Sequence, residues 1–444
     1  MRWQKKYKKH SYKFPLMFRV AKVMLISVIA IAILAPIIAN ERPLYLKYKG
    51  YHFFPAFSFK TNYVITDDSE DTVETLQLDI TDWKHLDAES VIFPISAYSP
   101  GKKDILNSGY LSPSYEEYFE NNANNIIKMP QKYRHWLGTN KRGEDVFYGL
   151  IYGTRISLMV GILSMVIAGF LGLFLGSIAG YYGDHRMKTS IGRLLIFLFG
   201  IVVAWFYAFY VRWFVLQDAL ASSGLRFIAE LFLSLIIAVM ICFIFSLFGK
   251  YVGKFPFLNK HICIKADSII SRFIEIFISL PRLIIIISVA AIARPSVINL
   301  ILIIGFTSWT GIARLVRAEF LKVREMEYIV ACHALGFKEF RTMIRHALPN
   351  AVAPAIVAIA FGVSSAILVE SGLSFLNIGV PPDIVTWGTM LAEGREYFNA
   401  WWLVVFPGLA IFFLVMTFNL LGDGLRDYLD KRSAKPDDFE IKTG

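Results

Sequence analysis

The side chains best suited to chemistry lie in a charged segment between Glu327 and Asn350, with the sequence EYIVACHALGFKEFRTMIRHALPN. Charged and apolar residues alternate in it at helical spacing, so two short helices would each carry an apolar and a polar face. Gly336 divides the segment, because glycine readily adopts the left-handed conformation that ends a helix. A polar helix face of this kind can bind a groove on a soluble protein partner. The pattern alone fits equally well a helix that lies on the lipid surface.

Residues 318–350 are termed the charged hairpin, and we expect its apolar faces to pack on the protein while its charges face a partner. The apolar face of the first helix would consist of Phe320, Leu321, Tyr328, Ile329, Ala331, Ala334 and Leu335. The apolar face of the second would consist of Phe337, Phe340, Ile344 and Leu348, and its polar face of Lys338, Glu339, Arg341, Thr342 and Arg345. Because proline disfavours helical geometry in the residue before it, Leu348 should leave the helix ahead of Pro349.

Long apolar runs on both sides of the charged hairpin indicate an integral membrane protein. The 444 residues are 55% hydrophobic and 18% charged, with a mean hydropathy of +0.50, whereas a water-soluble domain is usually about 25% charged. A helix needs ~20 apolar residues to span a bilayer. Runs near this length lie at roughly 17–39, 157–182, 193–215, 227–248, 270–292, 296–313, 351–369 and 401–421. We therefore expect an all-α membrane protein with about eight transmembrane helices.

The distribution of basic residues predicts that both termini are cytoplasmic, because Lys and Arg concentrate in cytoplasmic loops. The N-terminal segment contains Arg2, Lys5, Lys6, Lys8, Lys9, Lys13, Arg19 and Lys22 without an acid. The loops 183–192 and 249–266 are also basic, whereas the loop 40–150 contains acids such as Asp67, Asp68, Glu70, Asp71 and Glu74. The net charge of +11 is explained by loops that face anionic lipid rather than by nucleic-acid binding.

The loop 40–134 is long enough to form a small extracytoplasmic domain. Its first residues are rich in Tyr and Phe, and the segments VITDD and ETLQLDI suggest short strands. We expect this domain to contain β structure.

Three glycines in the second predicted span, Gly172, Gly176 and Gly180, are spaced four residues apart and form one flat helical face. Glycine costs about 1 kcal/mol relative to alanine inside a helix, and close packing of a second helix can offset that loss. The second helix could belong to this chain or to another, and both arrangements fit the pattern.

Motifs for catalysis or metal binding are absent from the sequence. The segment GKYVGKF at 249–255 lacks the spacing of a phosphate-binding loop, and no H-E-x-x-H motif, G-x-S-x-G motif or Cys/His pair at metal spacing occurs. We therefore expect no catalytic residue, metal ion or cofactor in this chain. Ion-coupled transporters usually carry ionisable groups deep in the membrane, and such groups are few here, so secondary transport and membrane-embedded catalysis are the weaker alternatives.

The charged hairpin resembles the signature loop of ABC importer permeases, which reads E-A-A-x-x-x-G followed nine residues later by I-x-L-P. The positions that match are Ala331, Gly336, Leu348 and Pro349. Val330 stands in place of the glutamate, Cys332 in place of the second alanine and His346 in place of the isoleucine. Glu327 lies one helical turn before Val330 and could substitute for the missing acid. The ending RHALPN, 345–350, is similar to that of peptide-type permeases.

Three further stretches resemble blocks of the peptide-permease family, at 135–161, 266–283 and 373–391. Each departs from the family pattern at one position, where Glu144 replaces Arg, Glu275 replaces Asp and Asn377 replaces Gly. The segment 39–55 resembles the outer insertion of microcin C-type peptide permeases. Residues 191–250 have no counterpart in the family pattern and would add two membrane crossings, either to brace the fold or to bind a partner.

This resemblance implies a type I ABC importer permease fold, in which six family helices are joined by the inserted pair. It also implies a second permease subunit, two ABC ATPase subunits that bind ATP and Mg, and an extracytoplasmic peptide-binding protein. The residues that would couple the hairpin to an ATPase are Glu327, Ala331, Gly336, Phe337, Lys338, Glu339, Arg341, Arg345, Leu348 and Pro349. Candidate residues of the translocation path are Ser308, Trp309, Ser364, Ser365 and Glu370, with packing as their alternative role. The solute would be a peptide, although nickel and some glycoside importers share these blocks.

The expected order along the chain starts with a basic cytoplasmic N-terminus and first span (1–39), followed by the outer domain (40–134). Next come an amphipathic segment with the second span (135–190) and the inserted pair (191–250). The chain ends with a core that contains the charged hairpin (251–421) and a cytoplasmic tail (422–444). Such a protein would lie in the cytoplasmic (inner) membrane of a bacterium.

Overall fold

The computed structural model describes residues 16–58, 62–67, 72–78, 81–99, 101–121, 125–222, 224–255 and 257–433. Six of the N-terminal basic residues (2–13), the acids Asp68, Glu70 and Asp71, and the end of the predicted tail lie outside these ranges. In the described part, seven helices are long and apolar enough to cross a membrane, and a pair of short helices bent by 79° adds an eighth span. The predicted all-α membrane fold with about eight spans is therefore confirmed.

The helices are α1 (Leu16–Ile38), α2 (Val146–Tyr182), α3 (Ile191–Trp205), α4 (Trp213–Ser222), α5 (Gly224–Val252), α6 (Ala266–Ser279), α7 (Arg282–Ile292), α8 (Val297–Val323), α9 (Glu327–Ala334), α10 (Glu339–Thr342), α11 (Leu348–Ala351), α12 (Ala353–Phe375), α13 (Trp387–Glu396) and α14 (Trp402–Ser433). Two π-helical turns, Phe206–Tyr210 and Met343–Ala347, continue α3 and α10. The strands are β1 (Tyr45–Tyr48), β2 (Tyr51–Phe53), β3 (Asn62–Asp67), β4 (Thr72–Gln77), β5 (Ser90–Ile92), β6 (Tyr118–Glu120), β7 (Ile126–Lys128), β8 (Lys188–Ser190) and β9 (His261–Cys263).

The predicted span 270–292 is not one straight helix, because α6 and α7 meet at an angle of 79°. Pro281 separates them, and Leu280 before it is extended, with φ −95° and ψ 133°. Proline lacks the backbone N–H and disfavours helical geometry in its predecessor. The apolar run predicts one straight crossing, but Pro281 divides it into two helices. Arg282, the first residue of α7, lies directly after this bend.

Two central helices extend well beyond the predicted apolar runs. The helix α2 starts at Val146 rather than near 157, and its N-terminus is capped by Asp145, whose carboxylate accepts a hydrogen bond of 2.9 Å from the Tyr148 N–H. The helix α8 continues to Val323 rather than ending near 313. Hydropathy marks only the part of a helix inside the lipid, whereas Arg and Lys are good helix formers outside it.

The core of the fold is the contact between α2 and α8, where glycines let the two backbones approach closely. A Cβ atom added at Gly172 would lie 2.7 Å from the Ile312 Cβ, and one at Gly176 would lie 2.5 Å from the backbone oxygen of Ala313. At Gly180, it would lie 2.6 Å from the Arg317 backbone oxygen. The glycine face of the second span therefore packs within this chain, which resolves the choice between intramolecular and intermolecular packing.

The outer domain contains the predicted β structure in three small units. A three-stranded antiparallel sheet has the order β2-β1-β5, and β3–β4 and β6–β7 form antiparallel pairs. The segments VITDD and ETLQLDI overlap β3 and β4. Leu46, Leu78 and Trp83 form a buried apolar cluster beneath the three-stranded sheet. The domain is thus a folded unit that carries its own small core.

The inserted pair, α3 and α5, packs chiefly on itself. The Phe245 side chain packs directly on Gly200, where an added Cβ would lie 2.5 Å from the Phe245 Cβ. At the end of the pair between α3 and α5, Arg212 is ion-paired with Glu230 and donates to the Ser234 hydroxyl. At the other end, β8 and β9 form an antiparallel ribbon in which Ser190 lies opposite His261. The ribbon brings the two ends of the insertion together at its base.

Because the ribbon closes the insertion, we expect residues 191–260 to be removable as a unit. Ser190 would be joined to His261 through an Asn-Gly turn, which suits a two-residue hairpin loop. The shortened protein should reach the membrane and, in detergent, unfold within about 5 °C of the full-length protein, since few packing contacts of the other spans are lost. Aggregation of the shortened chain would contradict this expectation. Normal insertion with failure to assemble with partner subunits would identify α3 and α5 as an interface.

Candidate functional site

The charged hairpin turns at Gly336, which adopts the predicted positive φ, at 74°. The Gly336 N–H donates to the His333 carbonyl and the Phe337 N–H donates to the Cys332 carbonyl, each over 3.0 Å. This pair of hydrogen bonds is the Schellman arrangement that ends α9. An added Cβ at Gly336 would meet nothing within 4 Å. Glycine is therefore required there by backbone conformation and not by lack of space.

The second arm of the hairpin runs from α10 through the π-helical turn into α11 without interruption. Leu348 is helical, with φ −56° and ψ −45°, so the prediction that it leaves the helix is wrong. Pro349 lies directly after the π turn, so the helical hydrogen bond that its missing N–H cannot make falls at the junction with α11. The wider π turn before it leaves space for the proline ring.

The predicted faces of the hairpin are partly wrong. Phe320 and Ile329 are buried as expected, but the other apolar residues are exposed to a varying degree, with Leu335 73% and Phe340 66% exposed. Tyr328, Ala331, Ala334, Phe337 and Ile344 are also exposed, and Leu348 is half-buried. Thr342, assigned to the polar face, is fully buried. The helical period grouped Phe337, Phe340 and Ile344 correctly, but it does not show which face of the arm packs on the spans.

The exposed surface of the hairpin is therefore a mixture of apolar and basic side chains. Lys338, Arg341 and Arg345 are exposed as predicted, together with Glu327 and Pro349, and Glu339 is half-buried. The Arg341 guanidinium lies 5.7 Å from the Phe337 ring centroid. Apolar and aromatic side chains with arginine are typical of protein interfaces. The composition suits a protein partner better than a purely charged face would.

Contacts with α2 and α8 hold the hairpin rigidly to the spans. The His333 Nδ1 lies 3.3 Å from the Glu339 Oε1 and ties the two arms together. The Tyr181 ring packs against the rings of Phe320 and His333. The Arg324 guanidinium donates to the Gly180 carbonyl over 3.2 Å. No sequence pattern identifies Tyr181 or His333 as functional, because neither belongs to the motif of the resemblance.

A second set of contacts locks the two ends of the hairpin. The Asn350 amide donates to the Tyr328 hydroxyl over 3.0 Å, and the Phe337 ring stacks on the His346 ring. At the base, Arg317 of α8 forms a bidentate ion pair with Asp267 of α6. A displacement of the hairpin would therefore be passed to α8 and, through Asp267, to the bent span.

The candidate path residues occupy different environments. Ser308 lines a cavity of about 340 Å³ beside α8. Trp309 and Ser364 are buried, with the Trp309 ring edge-on to Phe277 and the Ser364 hydroxyl donating to the Val415 carbonyl. Ser365 is half-buried. Ser308 is thus a candidate path residue that lies at a cavity wall.

Glu370 is fully buried in a cluster of hydroxyl groups rather than placed on an open path. Its carboxylate accepts hydrogen bonds from the hydroxyls of Ser374 (2.9 Å), Ser371 (3.2 Å) and Ser157 (3.3 Å). Ser157 belongs to α2, so the cluster joins α2 to α12. The contacts favour a packing role for Glu370.

His135 joins the outer domain to the start of α2. The side chain is fully buried, and its ring nitrogens lie 3.2 Å from the Asp145 Oδ1 and 3.4 Å from the Asp104 Oδ2. The Tyr98 ring stacks on the imidazole with a centroid separation of 4.0 Å, and the Lys84 Nζ lies 3.4 Å from the Tyr98 centroid. Since Asp145 also caps α2, the imidazole connects Asp104 of the outer domain to the start of a core helix.

Charge interactions in this junction shift several pKa values. Burial acts to lower the pKa of His135, but hydrogen bonds with Asp104 and Asp145 outweigh it and raise the pKa above its usual value. Burial acts to raise the pKa of Asp104, and the bonds from His135 and Asn107 outweigh it and lower that pKa. Burial raises the pKa of Glu117 and lowers that of Lys84 to about 8. The junction thus favours an imidazolium between two carboxylates.

Comparison with known proteins gives a consistent result. A family described as the binding-protein-dependent transport system inner membrane component matches residues 262–435. A dipeptide transport system permease protein of Alkalihalophilus pseudofirmus is 30% identical over 71% of this chain and 77% of its own length. A di/tripeptide transport system permease protein of Pseudomonas aeruginosa is 34% identical over 67% and 73%. A glutathione transport system permease protein of Pectobacterium atrosepticum is 28% identical over 73% and 80%.

Replacing the buried imidazole should change how stability depends on pH. A raised pKa in the folded state means that the contribution of His135 is complete below its unfolded pKa of about 6.5 and is lost as pH rises through the folded value. The thermal stability lost on His135→Gln should therefore be largest at acidic pH, at about 1.5–3 kcal/mol for charge-assisted bonds, and should shrink toward alkaline pH. Glu117 interacts with the His135 charge, so the difference reports the imidazole together with this neighbour. A difference that stays constant between pH 5.5 and 9 would contradict the imidazolium.

Proposed function

Because this chain belongs to the inner membrane components of binding-protein-dependent transport systems, as a permease subunit of a peptide-type ABC importer, we propose that it moves peptides into the cytoplasm by alternating access. The charged hairpin carries this proposal. Its exposed basic and apolar surface is rigidly joined to α8, which also lines the cavity that contains Ser308. A partner that moves the hairpin would therefore move a wall of that cavity.

Energy would come from two ATPase subunits that bind ATP and Mg outside this chain. In the proposed cycle, the hairpin lies in a groove on one ATPase, and ATP-driven closure of the pair displaces it. The glycine contact between α2 and α8 makes the two helices move as one body, because their backbones are too close to slide freely. The spans would then switch between inward-open and outward-open states.

The remaining partners follow from the same proposal. A second permease subunit would complete the path, because type I importers pair two sets of spans. An extracytoplasmic peptide-binding protein would deliver the solute to the outer side. The relatives named for dipeptides, tripeptides and glutathione all carry small peptides, which supports a peptide as the solute.

We propose that the hairpin and both termini face the cytoplasm, which the basic residues near them support. In a cysteine-free background, a membrane-impermeant maleimide should label a cysteine placed at Ser108, an exposed residue of the outer domain, in cells with a permeabilised outer membrane. A cysteine placed at Ala334, exposed on α9, should react only after the cells are lysed. The opposite pattern would invert the orientation and rule out inward transport by this scheme.

Two variants of the hairpin should uncouple transport in different ways. Gly336→Val introduces a β-branched residue at a positive φ, at a cost of about 1–3 kcal/mol, so the second arm should leave the angle that the ATPase groove accepts. Arg341→Glu reverses an exposed charge without bending the turn. Both should lower peptide-stimulated ATP hydrolysis by the reconstituted complex. Only the Arg341→Glu defect should change with ionic strength, because exposed charges are screened by salt.

Matched controls separate coupling from general damage. Gly109→Val imposes a similar strain at φ 85° on the outer domain, where an added Cβ also meets nothing within 4 Å. Lys103→Glu reverses an exposed charge on the same domain. Both controls should retain wild-type stimulation. Wild-type stimulation in the Gly336→Val complex would show that the charged hairpin is not the coupling element.

A further inference from the structure

The cavity beside α8 has a positively charged wall. It measures about 340 Å³ and lies between α2, α7, α8 and α12, with Ser308, Gly311 and Arg314 of α8 and Arg282 of α7 among its lining residues. Its other lining residues are apolar, and none is acidic. An added Cβ at Gly311 would meet nothing within 4 Å, so the space beside that residue is open. The volume falls in the range of small-molecule sites.

Arg282 has no acceptor for part of its guanidinium. Its Nε and one terminal nitrogen are buried and make no hydrogen bond with any residue that the structure describes. The residue is the first of α7, directly after the bend at Pro281, so the break in the span fixes where the side chain begins. Buried charges are normally paired, because an unpaired charge loses its hydration without compensation.

Several other arginines in or beside the spans reach acceptors within the chain. Arg155 donates to the carbonyls of Ala32 and Ile33. Arg212 is paired with Glu230, and Arg317 with Asp267. Arg282 therefore differs from these three arginines, because two of its guanidinium nitrogens have no hydrogen-bond acceptor. Its position beside Arg314 on the same cavity adds a second positive charge, which increases the affinity of the cavity for an anion.

The side chains that line the cavity determine which kind of anion it can bind. A guanidinium binds planar oxyanions through two parallel N–H···O bonds, which suits a carboxylate. The Ser308 hydroxyl donates to the Ile304 carbonyl over 2.5 Å, so its proton is not available to the anion. The donors that remain are those of the two arginines.

We propose that Arg282 and Arg314 bind the C-terminal carboxylate of the peptide while it passes through the membrane. This inference rests on the proposed function, since it assumes that the transported solute is a peptide. The cavity adjoins the part of α8 that leads into the charged hairpin, so the carboxylate would lie at the wall that the hairpin moves. The site would favour peptides with a free C-terminus over those whose terminus is amidated.

The test compares uptake of one radiolabelled tripeptide with uptake of its C-terminal amide, in proteoliposomes that contain the full complex and the binding protein. Arg282→Gln should lower uptake of the free acid at least about tenfold, the effect of one charge-assisted hydrogen bond, and leave uptake of the amide unchanged. Arg282→Lys should retain a preference for the acid. Arg294→Gln, which removes an exposed arginine just beyond α7, is the matched control and should behave as wild type. The binding protein is the same throughout, so its own preference cancels.

A second measurement does not depend on delivery by the binding protein. Millimolar free-acid tripeptide should raise the melting temperature of the detergent-purified complex more than the amide does, and Arg282→Gln should abolish that difference. If Arg282→Gln slows acid and amide equally, the arginine serves a lipid phosphate or a neighbouring subunit and the proposal fails. An equal thermal shift from acid and amide in wild type also overturns it. Absence of any ATP-driven peptide uptake by wild type would instead refute the proposed function.

Discussion

The close approach of α2 and α8 is the constraint on which the rest of the structure depends. Where Gly172, Gly176 and Gly180 face α8, the two backbones are separated by less than the width of a side chain. In lipid, where apolar surface gives little drive for association, such packing holds helices together. The arrangement fixes the direction of α8, and α8 in turn positions the charged hairpin at its end and the cavity along its side. A residue larger than glycine in this face would change the geometry of both.

Ion pairs connect α2 and α8 to the neighbouring parts of the chain. Asp267 and Arg317 connect the bent span to α8, and His135 connects the outer domain to the start of α2 through two carboxylates. Each of these charges has its counter-ion within the chain. Arg282 does not, and its charge is directed at a cavity instead. The contrast separates charges that are paired within the chain from the arginines of the cavity wall, which we propose bind a ligand.

The sequence predicted the helices and strands better than it predicted how they pack against one another. Apolar runs identified the spans because hydropathy reports directly on burial in lipid, and Gly336 was identified because a positive φ requires glycine. Hydropathy could not show that Pro281 bends a crossing by 79°, since a run of apolar residues carries no direction. Helical periodicity failed at Thr342 and Phe340, because it groups residues on one face but does not show which face packs on the protein. Glu370 was predicted as a path residue with packing as its alternative, and its contact with Ser157 of α2 could not be read from the sequence because the two residues are 213 positions apart. Arg282 was missed because the absence of a partner is visible only in three dimensions.

The ribbon of β8 and β9 has a consequence for the history of the fold. The chain leaves the core at Ser190 and returns to it at His261 on the opposite strand, so the intervening segment could be acquired or lost in a single genetic event without moving either neighbour. Because that segment contains two candidate membrane spans, the event would leave every downstream loop on its original side. The number of crossings can therefore change in steps of two at this joint without inverting the rest of the chain.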